Sequence, residues 1–223
     1  MAKVARPDYG WPETVRPKAH VLARQTLPLP PAPDGLVDLP AGKIAAIATY
    51  LQMRAPPPGP IPPLPGPLER ISGDLARYRA LYARIGEPWL WFSRTLLSDE
   101  RLQTIIGHPA VQPFALRIDG QDTGILELDF RVPGECELAF FGLIPEACRR
   151  GYGRALVGEA VRRAFAKPIG RLWLHTCTLD DPAAMPFYLK AGFQPYRRAV
   201  EIADDPRLAG YMPEDAALHF PPV

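Results

Sequence analysis

Apolar positions change their period several times along the chain, and each change marks an element. Between Lys43 and Arg54 the run Ile44-Ala-Ala-Ile47-Ala-Thr-Tyr50-Leu51-Gln-Met53 is β-compatible and predicts a strand. Leu75, Tyr78, Leu81 and Tyr82 then recur at helical spacing, and Gly86 supplies a stop before Pro88. Ser98 offers an N-cap for a short helix running through Leu102 and Ile105 to Gly107. The runs Phe114–Ile118 and Gly124–Phe130 flank an Asp119-Gly-Gln-Asp turn, which reads as a β-hairpin. A fourth strand, Cys136–Ile144, follows the Pro133-Gly134 turn. Val157, Ala160, Val161, Ala164 and Phe165 fall at i, i+3, i+4, i+7 and i+8, an amphipathic helix with Arg154, Arg162 and Arg163 on its other faces. Leu172–Thr178 is a strand by composition, residues 183–190 a short helix ended by Gly192, and Phe193–Ile202 a last strand. Strands interleaved with helices in this order predict an α/β fold.

Proline changes the picture at both ends of that pattern. Sixteen of the 29 prolines lie in residues 1–68, and over residues 1–40 fixed φ with missing N–H donors rules out helix or central strand. Residues 1–41 are therefore expected as a proline-rich arm, which either wraps the domain through Trp11 and the nearby leucines or presents a polyproline ligand to a partner. Pro56–Pro67 must be loop or polyproline II. The folded domain is expected over residues 42–202, with a tail over 203–223.

Charge and cysteine usage narrow the function classes. A net charge of +2 gives no reason to expect nucleic acid or an anionic membrane as partner. No apolar run approaches the ~18 residues of a spanning helix, so a cytoplasmic protein is expected. Cys136, Cys148 and Cys177 form no C-x-x-C pair and read as buried thiols. His20, His108, His175 and His219 are too scattered for a metal site, and no G-x-S-x-G marks a serine nucleophile.

The informative segment joins the fourth strand to the amphipathic helix: Leu143-Ile144-Pro145-Glu-Ala-Cys148-Arg149-Arg150-Gly151-Tyr152-Gly153-Arg154. Glycines in the first turn of a helix leave backbone N–H groups uncovered at the positive end of the helix dipole. Three arginines on the same turn complete a pyrophosphate cradle. A P-loop is excluded because no Lys-Ser or Lys-Thr follows Gly153, and a dinucleotide fingerprint because its third glycine is Leu156. A third reading is a coenzyme A site, and it rests on a resemblance.

Gly151-Tyr-Gly153-Arg-Ala-Leu156, preceded by Pro145-Glu146, resembles motif A of the GNAT superfamily of acetyltransferases. Asp181-x-x-Ala184-x-x-Phe187-Tyr188-x-x-x-Gly192-Phe193 is similar to that family's closing motif, and the element order matches as well. The resemblance implies a GNAT-like mixed sheet, splayed near the fourth strand to admit acetyl-CoA, and direct transfer of an acetyl group to the amine of a small molecule or peptide. It also leaves room for a homodimer. The implied coenzyme contacts run from Leu143 to Pro145, with the backbone near Leu143 and Ile144 as oxyanion donor, continue from Cys148 to Arg154, and end at Asp181. Cys148 stands where the family usually has Gln or Arg. Asp181, where many members have Asn, equally serves as a helix N-cap before Pro182.

Tyr188 aligns with the family's tyrosine near the thioester sulfur, where a phenol can protonate the departing thiolate; its other reading is a core tyrosine beside Phe187. For the base, Glu137 resembles the strand-four glutamate that some members use through water, with Glu127 and His175 as rivals on neighbouring strands. Strict alternation puts Glu137, Ala139, Phe141 and Leu143 on one face of that strand. A catalytically silent acyl-CoA sensor would use the same cradle.

Overall fold

The computed structural model describes residues 35–222. The arm up to residue 34, including Trp11, lies outside them. Seven strands form one sheet in the order β2-β3-β4-β5-β6-β1-β7. They are β1 (Lys43–Met53), β2 (Leu68–Arg70), β3 (Val111–Ile118), β4 (Gln121–Asp129), β5 (Glu135–Leu143), β6 (Arg171–Cys177) and β7 (Gln194–Asp204). The helices are α1 (Leu75–Gly86), α2 (Asp99–Ile106), α3 (Tyr152–Phe165) and α4 (Ala184–Lys190). Local signals hold these ends: Asp74 and Ser98 accept the N–H groups of Arg77 and Arg101 as N-caps of α1 and α2. Pro186 falls in the first turn of α4, where its missing N–H costs no helical bond.

Two of the strand placements were not foreseen. β2 follows the proline block directly and pairs with β3 through Leu68–Arg70. β1 sits between β6 and β7, away from the strands β3, β4 and β5 that α1 and α2 pack against.

Alternation along the strands divides the interior in two. Leu126, Leu128, Cys136, Leu138, Leu172 and Leu174 pack against α3 and α4. Ala115 and Ile125 face the other way, against Tyr78, Leu81, Leu102 and Ile106 of α1 and α2. β5 carries a bulge: Glu127 pairs with Phe140 and Leu128 with Leu138, leaving Ala139 as the extra residue. The strict alternation expected for this strand is therefore corrected. Glu137, flanked by the buried Cys136 and Leu138, faces the α1 side. Past the bulge Phe140 also faces that side and packs on Tyr82 and Trp91, while Phe141 packs on Phe187 and Tyr188 of α4.

Two irregular segments complete the body. The proline block crosses α3 with Ile61 seated over Gly158, where a Cβ would stand 2.6 Å from the isoleucine methyl. After β7 the chain folds back, and Met212, Ala216 and Ala217 close over Ile44, Ala46, Leu90, Phe92 and Ala203. Arg207 pins this turn: its guanidinium bonds the Asp205 carboxylate at 2.7 Å and the carbonyls of Ala216 and Phe220 at 3.0 and 2.7 Å.

Candidate active site

β5 and β6 are the sheet's one parallel pair, and their pairing is short. Glu135, Cys136 and Glu137 sit opposite Arg171, Leu172 and Trp173, and beyond them the strands part. The gap opens into a cleft of about 2150 Å³. Of the expected site residues, Glu137, Tyr188 and Asp181 line this cleft, as do Leu143, Pro145 and Cys148. Arg149, Gly151, Gly153 and Arg154 line it too. Ile144, Arg150 and Tyr152 do not; Ile144 is buried and Tyr152 packs against the α1–α2 core.

The cradle has the geometry of an anion site. Arg149 and Gly151 both take left-handed backbone, φ 61 and 83°, which winds the chain tightly into α3. At Arg149 the conformation is unusual for a side-chain-bearing residue, while at Gly151 it is what favours glycine. No side chain caps α3, so its first N–H groups stay open, and a Cβ on Gly151 would meet nothing within 4 Å. Among the described residues, none of Arg149, Arg150 and Arg154 is ion-paired, and all three are exposed. Uncapped amides at a helix N-terminus beside unpaired arginines suit a pyrophosphate.

Oxyanion donors follow from the ladder. The Ile144 N–H already donates to the Thr123 carbonyl at 2.9 Å, so Ile144 is withdrawn from that expected role. Antiparallel pairing alternates, so the amides of Leu143 and Phe141 point the other way, into the gap. Asp181 accepts the Ala183 N–H at 2.8 Å in a local turn, but the N-cap of α4 is Ala183 and no side chain caps that helix, so the N-cap reading of Asp181 is corrected. Its carboxylate is thus held in its own turn.

Tyr188 is 8% exposed and makes edge contacts with Phe141, Phe187 and Phe193. Burial, with a smaller contribution from Asp180, pushes its phenol well above the ordinary value. It therefore holds its proton at any working pH. Glu137, also on the cleft, is 4% exposed, with Oε1 at 4.0 Å from His175 Nδ1. His175, the other rival base, is exposed on the cleft wall, its ring tilted against that of Tyr50 at 5.5 Å.

Glu127 is corrected as a rival base. It is fully buried off the cleft, paired with Arg94 at 2.5 Å and accepting the Tyr78 hydroxyl at 2.6 Å. Arg94 also lies over the Phe140 ring and so ties the loop after α1 to the bulge. Asp180 makes a second tie, accepting Trp91 Nε1 at 3.0 Å and Thr176 Oγ1 at 2.8 Å. The Arg94–Glu127 and Trp91–Asp180 bonds join residues 33 and 89 apart in the chain, so neither tie carries a local sequence signal.

The thiols are not poised as nucleophiles. Burial raises Cys136, and Cys177 is pushed up to about 12. Desolvation and the neighbouring Asp181 also raise Cys148. Among the described residues no three His, Cys, Asp or Glu side chains gather for a metal, and no helix is long and apolar enough to cross a membrane.

Comparison with known proteins agrees with this geometry. No curated protein matches the chain in sequence. A GNAT-family protein from Novosphingobium aromaticivorans superposes with a TM-score of 0.50 at 20% identity, over 76% of this chain and 70% of that one. A GCN5-related N-acetyltransferase from Sphaerobacter thermophilus gives 0.53 at 17% identity, over 72% of this chain and 52% of its own length. The PaiA N-acetyltransferase of Thermoplasma acidophilum, solved with coenzyme A, gives 0.50 at 19% identity over 62% and 99%. These likenesses show the fold. The model of the acetyltransferase (GNAT) family matches residues 78–193, more than half of the sequence and the whole span from α1 to the end of the closing motif, and the chain belongs to that family.

Proposed function

We propose that the protein transfers an acetyl group from acetyl-CoA directly to the amine of a small molecule or peptide. The parting of β5 and β6 beyond Glu137 and Trp173 carries this reading. It makes a slot with an anion cradle at one end and, deeper in, a carboxylate on one wall and a phenol on the other. The slot leads through the sheet, so coenzyme and acceptor can meet from opposite faces.

The cradle's amides and Arg149 and Arg154 hold the coenzyme's pyrophosphate, and the open space over Gly151 admits it. Acetyl-CoA supplies an activated thioester. On the acceptor side Glu137 takes a proton from the ammonium, directly or through one water, freeing the nitrogen lone pair. That nitrogen attacks the thioester carbonyl carbon and a C–N bond forms. The N–H groups of Leu143 and Phe141 steady the developing oxyanion. As the C–S bond breaks, Tyr188 gives its proton to the thiolate, the nitrogen sheds its second proton to solvent to leave the neutral amide, and solvent returns one proton to Tyr188. His175 beside Glu137 offers the proton a way out to the open wall.

Free-thiol release from acetyl-CoA across a panel of amines, with coenzyme affinity from calorimetry, tests this. Amine-dependent release is the expected result. Binding without release for any amine would leave a silent acyl-CoA-binding module.

A further inference from the structure

Several arginines line the cleft outside the cradle, and their partners differ. Arg94 is matched by Glu127, Arg131 by Asp129 at 2.6 Å and Arg162 by Glu159 at 2.7 Å. Arg197, on β7, has no carboxylate partner among the described residues. Its guanidinium lies 4.6 Å from the centre of the Tyr50 ring and is exposed. Glu201 shares its face of β7 and, like Arg197, is felt at the Tyr50 hydroxyl, but among the described residues no ion pair joins the two.

Arg197 is also in line with the chemistry. In the sheet register Arg197 sits opposite Tyr50, and Tyr50 opposite His175. The Tyr50 and His175 rings are 5.5 Å apart, and His175 approaches Glu137. These residues form a row across one face, from a base at the slot to an unmatched cation at the open edge. A guanidinium laid on an aromatic ring keeps its N–H edge free for a planar, bidentate anion. An acceptor carrying only positive charge would meet that guanidinium without compensation.

We infer that Arg197 binds a carboxylate of the acceptor, so that the substrate is an amino acid or a short peptide-like amine with a free carboxylate. The inference rests on the acetyltransferase reading above. The amine sits at Glu137 and His175, and the carboxylate lies no farther from His175 than the Tyr50 ring and one guanidinium contact allow.

The test uses matched pairs: α- and ω-amino acids and dipeptides, each beside its own carboxamide. The purified protein should prefer the carboxylate member by about tenfold or more in kcat/KM, mainly through KM, the scale of a lost charge-assisted hydrogen bond. In Arg197→Gln the preference should fall to roughly twofold or less, and Arg197→Lys should keep part of it. The lysine variant carries the test should the glutamine variant not fold. Equal turnover of both members by wild type, or a preference that survives in the variants, overturns the inference and leaves the transferase intact. Acetylation of other amines but of neither member of any pair overturns the inference alone, and coenzyme binding with no amine of the wider panel acetylated overturns both.

Discussion

Glu137 and His175 face each other at 4.0 Å just where β5 and β6 stop pairing. One is almost fully buried and the other exposed, so together they join the slot to solvent. Glu137→Gln keeps the shape and removes the acceptor of the proton. Turnover should fall by about 10²-fold or more, with coenzyme affinity unchanged. His175→Gln should cost much less. The reverse ranking in steady-state kinetics would move the base to His175.

Tyr188→Phe removes only the hydroxyl from a ring held by three aromatic neighbours. Turnover should drop by about 10²-fold while coenzyme affinity and melting temperature hold, because the hydroxyl acts in the transition state. The raised phenol adds a pH prediction. A group whose value lies well above 10 stays protonated through pH 9, so wild-type turnover should show no alkaline loss from this residue. An alkaline limb that vanishes in Tyr188→Phe would show that the phenol titrates in the working range, against the upward push of its burial.

Gly153 tests the cradle more cleanly than Gly151. A Cβ at Gly153 would make ordinary contacts, 3.5 Å to Phe187 and 3.8 Å to Leu143, whereas Gly151 needs its left-handed backbone. Gly153→Val should therefore fold yet crowd the cleft, weakening coenzyme A at least about tenfold, or ~1.4 kcal/mol. Gly151→Ala should lower stability by about 1–2 kcal/mol from backbone strain. Calorimetry with coenzyme A and a thermal melt on each variant separate the two. An unchanged affinity in Gly153→Val would remove that glycine from the cradle.

The sequence exposes what is local and hides what is not. Helix periods, Ser98 as a cap, the hairpin turn and the Gly-rich start of α3 are all encoded within a few residues, and all are legible. The bulge at Ala139 is not, because Leu138-Ala-Phe-Phe-Gly is apolar on both faces and carries no turn signal. Its effect is large: it sends Phe140 and Phe141 to the opposite faces from those that alternation assigns. β2 is three residues long and shows no period. The insertion of β1 between β6 and β7 depends on pairings more than a hundred residues apart, which no window reveals. For the same reason Glu127 reads as a free strand carboxylate until Arg94 and Tyr78 are seen around it.

Glu127 should consequently behave as a structural residue. Removing one partner of a buried pair leaves an uncompensated charge, and Glu127→Ala should cost about 3–5 kcal/mol. Replacing Arg94 and Glu127 together by apolar residues should cost less than either single change. Denaturant melts of the two single variants and the double measure this coupling. Additive losses would show that the ion pair does not hold the loop after α1.

The segment after β7 carries the clearest acid dependence. Arg207 holds the Asp205 carboxyl below its usual 3.8, mainly through the side-chain bond between them. A depressed carboxyl stabilises the fold above its ordinary value and loses that contribution as pH falls through the folded one. Asp205→Asn should thus melt below wild type at pH 7, by roughly 6–12 °C if about 3 kcal/mol is lost. The gap should stay constant to about pH 5 and shrink below pH 4, where the wild-type carboxyl protonates as well. Because Arg207 also bonds the carbonyls of Ala216 and Phe220, the loss should loosen Met212 and Ala216 from Leu90 and Phe92. Leu90 and Phe92 also line the cleft, so under the proposed reading KM for the amine should rise while coenzyme affinity holds. A melting gap that does not change with pH would place the stabilisation outside this pair, and an unchanged KM would separate the clamp from the acceptor wall.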